Sequence, residues 1–268
     1  MIAAGVWAGA MLFLAAPAAA TAPPPATAAI TALQFAPPLG QPMTYRVTTR
    51  RIGRSGALIS FSLVYTLEWQ RAGRGYRLDA VLRRIESDAR PELVRALTGL
   101  VEPLVGETVT YLVDAEGRSV TLADPDALWA RVAGRTQALA AGARAPEAQQ
   151  VAALLGTLPE AERDRLVTAD IRALIVPANV EIPTTGGEAS VSIEHDGTRL
   201  SIAKVEMGAV ATGGKPAAGL DVDRLWTIDT TTGLVVREQR QSWIAEPDSE
   251  ARTLVEERIR ALSAGDPG

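Results

Sequence analysis

An α+β fold built on one curved antiparallel sheet is the expectation, and three observations predict it. Strand-period alternation dominates both ends of the chain, glycine-rich connectors of hairpin length separate the alternating runs, and a block rich in Ala, Arg and Glu fills the middle. Strands, then helices, then strands, with hairpins in place of βαβ crossovers, suit an incomplete barrel. Helices would pack on its concave face, with a helical middle insertion. The expected layout is a signal peptide at 1–20, a flexible Pro/Ala-rich leader at 21–41, a single domain at 42–262 with a helical segment at 125–175, and a tail at 263–268.

The N-terminal assignment rests on charge and side-chain size. No charged side chain precedes Arg46. MIAAGVWAGAMLFLAAPAAA resembles an export signal, an apolar stretch closed by Ala18-Ala19-Ala20 in the small-x-small pattern, although it lacks a Lys or Arg at its start. Cleavage near Ala20 would deliver a periplasmic or secreted protein whose membrane association is transient at most. The alternative is an N-terminal membrane anchor, and the Ala/Gly content and Pro17 count against it. With no cysteine, neither a disulfide nor a lipid-modified N-terminal cysteine is available, so packing alone must hold the fold.

Three strands open the domain. PMTYRVTTRRI leads through Gly53–Gly56 into ALISFSLVYTLEWQ, and that run leads through Ala72–Gly75 into YRLDAVLRRIE. Connectors this short make antiparallel neighbours. In the second run Ile59, Phe61, Leu63, Tyr65, Leu67 and Trp69 share one face, and in the third Tyr76, Leu78, Ala80 and Leu82 do so. Leu93, Leu97, Leu100, Val101 and Leu104 then recur at helical spacing, with Pro91 suited to a first turn. Two short strands, ETVTYLVD and RSVTLAD, flank the turn at Gly117.

From Pro125 to Leu174 the pattern is helical. Asp124 can cap one helix, and Thr157-Leu158-Pro159-Glu160 is a capping box for another whose buried side is marked by Leu166, Ile171 and Leu174. ASVSIEH and TRLSIAKVEM flank Asp196-Gly197, a strong hairpin signal, and DRLWTIDT and GLVVREQRQSWIA flank Thr231-Thr232-Gly233. EARTLVEERIRAL fits a helix or a strand, and the turn Glu246-Pro247-Asp248-Ser249 before it favours a strand.

Composition and motifs exclude several kinds of chemistry. Of 268 residues 47% are hydrophobic and 22% charged, so the chain as a whole is globular. The net charge of −4 argues against nucleic-acid binding. Only two of the 27 basic residues are lysines, Lys204 and Lys215. That bias fits phosphate or carboxylate recognition, and coding bias in a GC-rich genome explains it more simply. The single histidine, His195, sits beside a hairpin turn with no nucleophile in view, and GRSGA has the wrong spacing for a nucleophile elbow. No metal or cofactor is expected: Asp221 and Asp223 lack the further oxygen ligands of a calcium loop, and GAVATGGKPAAG departs from the phosphate-loop pattern.

LWTIDTTTGLVVREQRQSW carries Trp226, Ile228, Asp229, Thr232, Gly233 and Leu234 in a strand–turn–strand arrangement. This resembles the paired strands of the bacterial lipoprotein-carrier (LolA/LolB-like) superfamily of envelope proteins. The resemblance covers about 20 residues, and the long helical insertion departs from that family's pattern. It implies an incomplete barrel with helices in its mouth and an apolar cavity for acyl chains.

The reading that follows is an exported, non-catalytic envelope protein that binds an apolar or lipid-like ligand or a lipidated partner. Phe61, Leu63, Tyr65, Trp69, Leu93, Leu97, Leu100 and Trp226 would line its cavity. A scaffold whose apolar faces fill one another is the alternative. A carboxylate-dependent hydrolase is a third, opposed by the low aromatic content of 4%.

Overall fold

The computed structural model describes residues 33–52, 58–88, 101–142, 157, 159–179, 189–210, 218–245 and 251–265. The export segment, Leu93, Leu97, Leu100 and most of the GAVATGGKPAAG loop lie outside them.

Among the described residues, ten antiparallel strands form one open sheet: β1 (Met43–Ile52), β2 (Leu58–Ala72), β3 (Gly75–Ser87), β4 (Thr108–Val113), β5 (Val120–Leu122), β6 (Ala189–Asp196), β7 (Arg199–Val210), β8 (Ala218–Asp229), β9 (Leu234–Ala245) and β10 (Arg252–Ala264). Their spatial order is β5-β4-β3-β2-β1-β10-β9-β8-β7-β6. Each half of the chain is a hairpin meander, and the halves join along β1 and β10. The ambiguous C-terminal segment is therefore a strand, and it runs two residues into the expected tail.

This order dictates the middle of the chain. β5 and β6 are consecutive in sequence but lie at opposite edges, about 43 Å apart measured along the sheet at 4.8 Å per strand. The segment between them carries α1 (Pro125–Gly142) and α2 (Glu160–Asn179), so the helical stretch runs slightly past the expected 175. Twenty residues of α2 span about 30 Å. Asp124 caps α1 as expected, its carboxylate accepting from the Ala127 amide at 3.0 Å. Trp129 of α1 donates its indole N–H to Asp164 of α2 at 2.7 Å, joining the two helices. The expectation that Leu166 lies on the buried side of α2 fails: it is 62% exposed. Thr168, Ile171, Leu174, Ile175 and Ala178 form that side instead. Leu166 lies five residues before Ile171, out of step with the buried stripe.

The sheet face that meets the helices is called the inner face. Tyr45, Val47, Leu63, Leu67, Trp69, Leu78 and Ala80 pack there with Leu128, Val132, Ile171 and Leu174 of the helices. A bulge at Val64/Tyr65 opposite Arg83 shifts the parity of β3, which puts Leu82 and Ile85 on the same face although they are three residues apart. A second cluster, Leu200, Ile202, Trp226, Ile228 and Val235, packs with Ala178 at the end of α2.

The outer face is polar yet partly closed. Val64 is fully buried there between its cross-strand neighbours Arg46 and Arg84, whose guanidiniums converge on Glu86. Asp221 and Asp223 also face outward, where both pair with Arg252.

The leader, expected to be flexible to residue 41, is seated from Leu33 onward. Phe35 is buried edge-on against Trp69 and Tyr76, with ring centroids 5.6 and 5.1 Å away. Two turns close around it. Gly117 and Gly233 have φ of +69° and +66°, and a Cβ on either would meet both Phe35 and Asn179 within 3.2 Å. Asn179 donates to the carbonyls of Ile175 and Gly233, which pins the end of α2 to the β8–β9 turn.

Phe35→Ala is expected to cost about 3–5 kcal/mol in urea unfolding, the range for emptying a buried aromatic site. A loss under about 1 kcal/mol would show that the leader is merely draped on the sheet. Glu86 supplies a pH signature. Hydrogen bonds from Arg46 and Arg84 lower its carboxyl from 4.5 to about 2. Its stabilisation is therefore complete above the unfolded value of 4.5 and disappears as pH falls towards 2. The urea midpoints of the native protein and Glu86→Gln should differ at neutral pH and converge on acidification through that window. A difference that persists unchanged to pH 2 would contradict the assignment.

Candidate functional site

Cross-strand register arranges the inner face into rows. One row runs Ile85, Leu63, Val47, Arg260, Glu238, Trp226, Ile202, Ile193. It is apolar except at its centre, where Arg260 and Glu238 are both buried. Arg260 donates to Glu238 at 2.6 Å, and its other nitrogens donate to Asp170 of α2 at 3.0 and 2.9 Å. Arg258 donates to the same Asp170 oxygen at 2.6 Å. Burial alone would lower the pKa of Arg260, but the carboxylate charges of Asp170 and Glu238 more than reverse this, so the guanidinium stays charged. Tyr45 and Tyr111 add hydroxyl donors to the α2 carbonyls of Asp170 and Val167 at 2.9 and 3.1 Å. Burial, reinforced by Asp170, pushes the Tyr45 phenol well above its ordinary value and keeps it a donor.

The adjacent row runs Ser87, Phe61, Thr49, Arg258, Arg240, Arg224, Lys204, Val191. Four cations thus stand side by side on β10, β9, β8 and β7. Like charges directly opposite one another are unfavourable. The compensation comes from neighbouring rows. Glu206 lies 2.6 Å from Lys204 and 3.8 Å from Arg224, and Glu256 lies 3.6 Å from Arg240 and also holds Arg51. Lys204's hydrogen bond, with Arg224 and Arg240 adding their charge, holds the Glu206 carboxyl below its ordinary value. Such a carboxylate stays ionised at neutral pH, the wrong direction for a general acid.

The row is incompletely satisfied. Among the described residues, the contacts of Arg224 and Arg240 with carboxylates are too long for hydrogen bonds. Arg224 Nε is buried without a partner, and so is Nε of Arg258. The side chains remain 31–34% exposed at Arg224, Arg240 and Arg258 and 18% at Lys204. They lie at the surface of the inner face and are not sealed into it.

The expected cavity residues divide. Phe61, Leu63, Tyr65 and Trp69 join one cluster. Trp69 is fully buried and Leu63 nearly so, whereas Phe61 and Tyr65 are half-buried, as are Ile59 and Ile85 nearby. Trp226 belongs to the separate cluster beyond Arg260 and Glu238. His195 is exposed at the end of β6. A further groove of about 290 Å³ opens where β5 stops short of β4, lined by Arg77, Thr108, Thr110, Asp124 and Arg131 beside Leu122 and Leu128. Its mixed lining suits water.

No protein-family model matches the chain, and no curated protein matches it. The family resemblance of the β8–β9 segment therefore gains no support from relatives, and function must be argued from the inner face.

Sequence reasoning missed that face's charged row. The signal was in the parity: Leu200, Ile202, Lys204 and Glu206 share a face, as do Ile228, Trp226, Arg224 and Val222. Each strand changes from apolar to charged part-way along its inner side.

Arg260→Met should lower stability by about 3–5 kcal/mol in urea unfolding, because it leaves the buried Glu238 carboxylate without its partner and Asp170 with Arg258 alone. A change below about 1 kcal/mol would mean that these charges are solvated and do not hold α2.

Proposed function

We propose that this chain is an exported, non-catalytic envelope protein that binds an amphiphile, a lipid or the acyl chain of a lipidated partner, against its inner face. The inner face is taken as the concave side of an incomplete barrel with α1 and α2 in its mouth. The observation that carries the reading is the partial cover over Ile59, Phe61, Tyr65 and Ile85. These apolar side chains on β2 and β3 remain half-buried while the neighbouring core is sealed. A ligand's alkyl chain gains about 0.8 kcal/mol per methylene buried on such a surface. Binding of this kind needs shape and apolar area, with no reacting group.

A second reading, a scaffold with a filled core, is favoured by the opposite end of the same face. There Phe35 occupies the space beside Trp69 and Tyr76, so the chain's own leader fills what a ligand would take. Trp69 is accordingly a core residue, and the proposed acyl contact moves to the Phe61 end.

The test is titration with a long-chain acyl fluorophore, alongside native mass spectrometry of the protein purified from cell envelopes. The amphiphile reading predicts saturable uptake, a bound lipid mass, and affinity weakened at least about tenfold by Phe61→Asp in a protein that still unfolds cooperatively. A bare mass with no probe uptake would favour the scaffold.

A further inference from the structure

Resting on the amphiphile reading, we propose that the cross-strand row Lys204, Arg224, Arg240 and Arg258 is the seat of the ligand's headgroup, and that this headgroup carries a phosphate. The ligand class is thereby an anionic amphiphile whose headgroup ends in a phosphate monoester, with its chain against Phe61 and Ile59 and its phosphate on β8–β10.

The geometry points to an anion because the row holds more cationic donors than its own carboxylates satisfy. Lys204 has Glu206, and Arg258 has Asp170. Arg224 and Arg240 have carboxylates only at 3.8 and 3.6 Å, and hydrogen-bond to nothing among the described residues. They are directly paired across β8 and β9, so their forks start from neighbouring backbone positions on one face. Arg224 Nε is itself buried without a hydrogen-bond partner among the described residues. Two like charges held side by side without acceptors cost stability, and an anion between them would remove that cost.

A phosphate fits better than a carboxylate. The three arginines stand on adjacent strands and span about 10 Å. A phosphate monoester offers three acceptor oxygens to such a span, whereas a carboxylate offers two. The lipid source follows from continuity. Arg258 is followed in the same row by Thr49 and then Phe61, so a single residue separates the cationic stretch from the half-buried apolar one. Seating a headgroup on Arg224 and Arg240 leaves Arg260 and Glu238 undisturbed under α2.

The experiment compares dodecyl phosphate, dodecanol and inorganic phosphate by calorimetry, using the mature full-length protein and its Arg224→Gln/Arg240→Gln variant. The native protein should bind dodecyl phosphate most tightly and inorganic phosphate weakly. The variant should lose roughly 10- to 100-fold in affinity for dodecyl phosphate, keep its affinity for dodecanol, and melt no lower than the native protein. Equal affinity of the native protein for dodecyl phosphate and dodecanol, or an unaffected variant, would overturn the headgroup site while leaving the amphiphile reading standing. Inorganic phosphate binding as tightly as dodecyl phosphate would overturn the lipid source. Failure to bind either alkyl compound would overturn the amphiphile reading and this inference with it.

Discussion

The buried ion cluster of Arg260 with Glu238 and Asp170 is the constraint around which the inner face is organised. Arg260 stands on β10, at the seam where the two meanders meet, and Glu238 lies opposite it on β9. Asp170 descends from α2. Three charges in a desolvated site are costly unless each is fully hydrogen-bonded, so the helix must sit in one register for the cluster to close. The Tyr45 and Tyr111 hydroxyls and the Asn179 amide reinforce that register at intervals along α2. One helix thereby locks both meanders.

With α2 held there, the inner face divides into two regimes. Beneath and beside the helix lie sealed residues such as Leu63, Trp69, Ile202 and Ile228. Two residues further along β10, β9, β8 and β7, the same face carries Arg258, Arg240, Arg224 and Lys204, only partly covered. A protein selected for stability alone has little reason to align four cations on adjacent strands with two guanidiniums that hydrogen-bond to nothing among the described residues. The arrangement makes sense if an anion completes it. Arginine in place of lysine at three of the four positions then has a physical use, since a planar fork grips phosphate with two donors at once.

Much of the architecture was legible from the sequence. Alternation and hairpin connectors located the strands, and Asp124-Pro125 and Thr157-Leu158-Pro159-Glu160 announced the helices. What it concealed was cross-strand register. Arg224, Arg240 and Arg258 are far apart along the chain, and bulges at Thr227/Ile228 and Leu254/Glu256 shift parity before their rows align. Bulges leave no mark in hydropathy, so solvated outward charges and inward ones look alike. Phe35 was hidden for a related reason: its neighbours Pro37 and Pro38 resemble a linker, and only the tertiary turns at Gly117 and Gly233 create its seat. Leu166 erred in the other direction, an apolar residue taken as buried although it lies off the helix stripe.

The proposed site divides labour between arginines on one face: Arg260 for structure, Arg224 and Arg240 for a ligand. The most direct measurement is an NMR titration of the arginine Nε–H resonances with dodecyl phosphate. Arg224 and Arg240 should shift and saturate together while Arg260 stays in place. Movement of Arg260 in step with them, or no movement at Arg224 and Arg240 despite binding, would contradict that division.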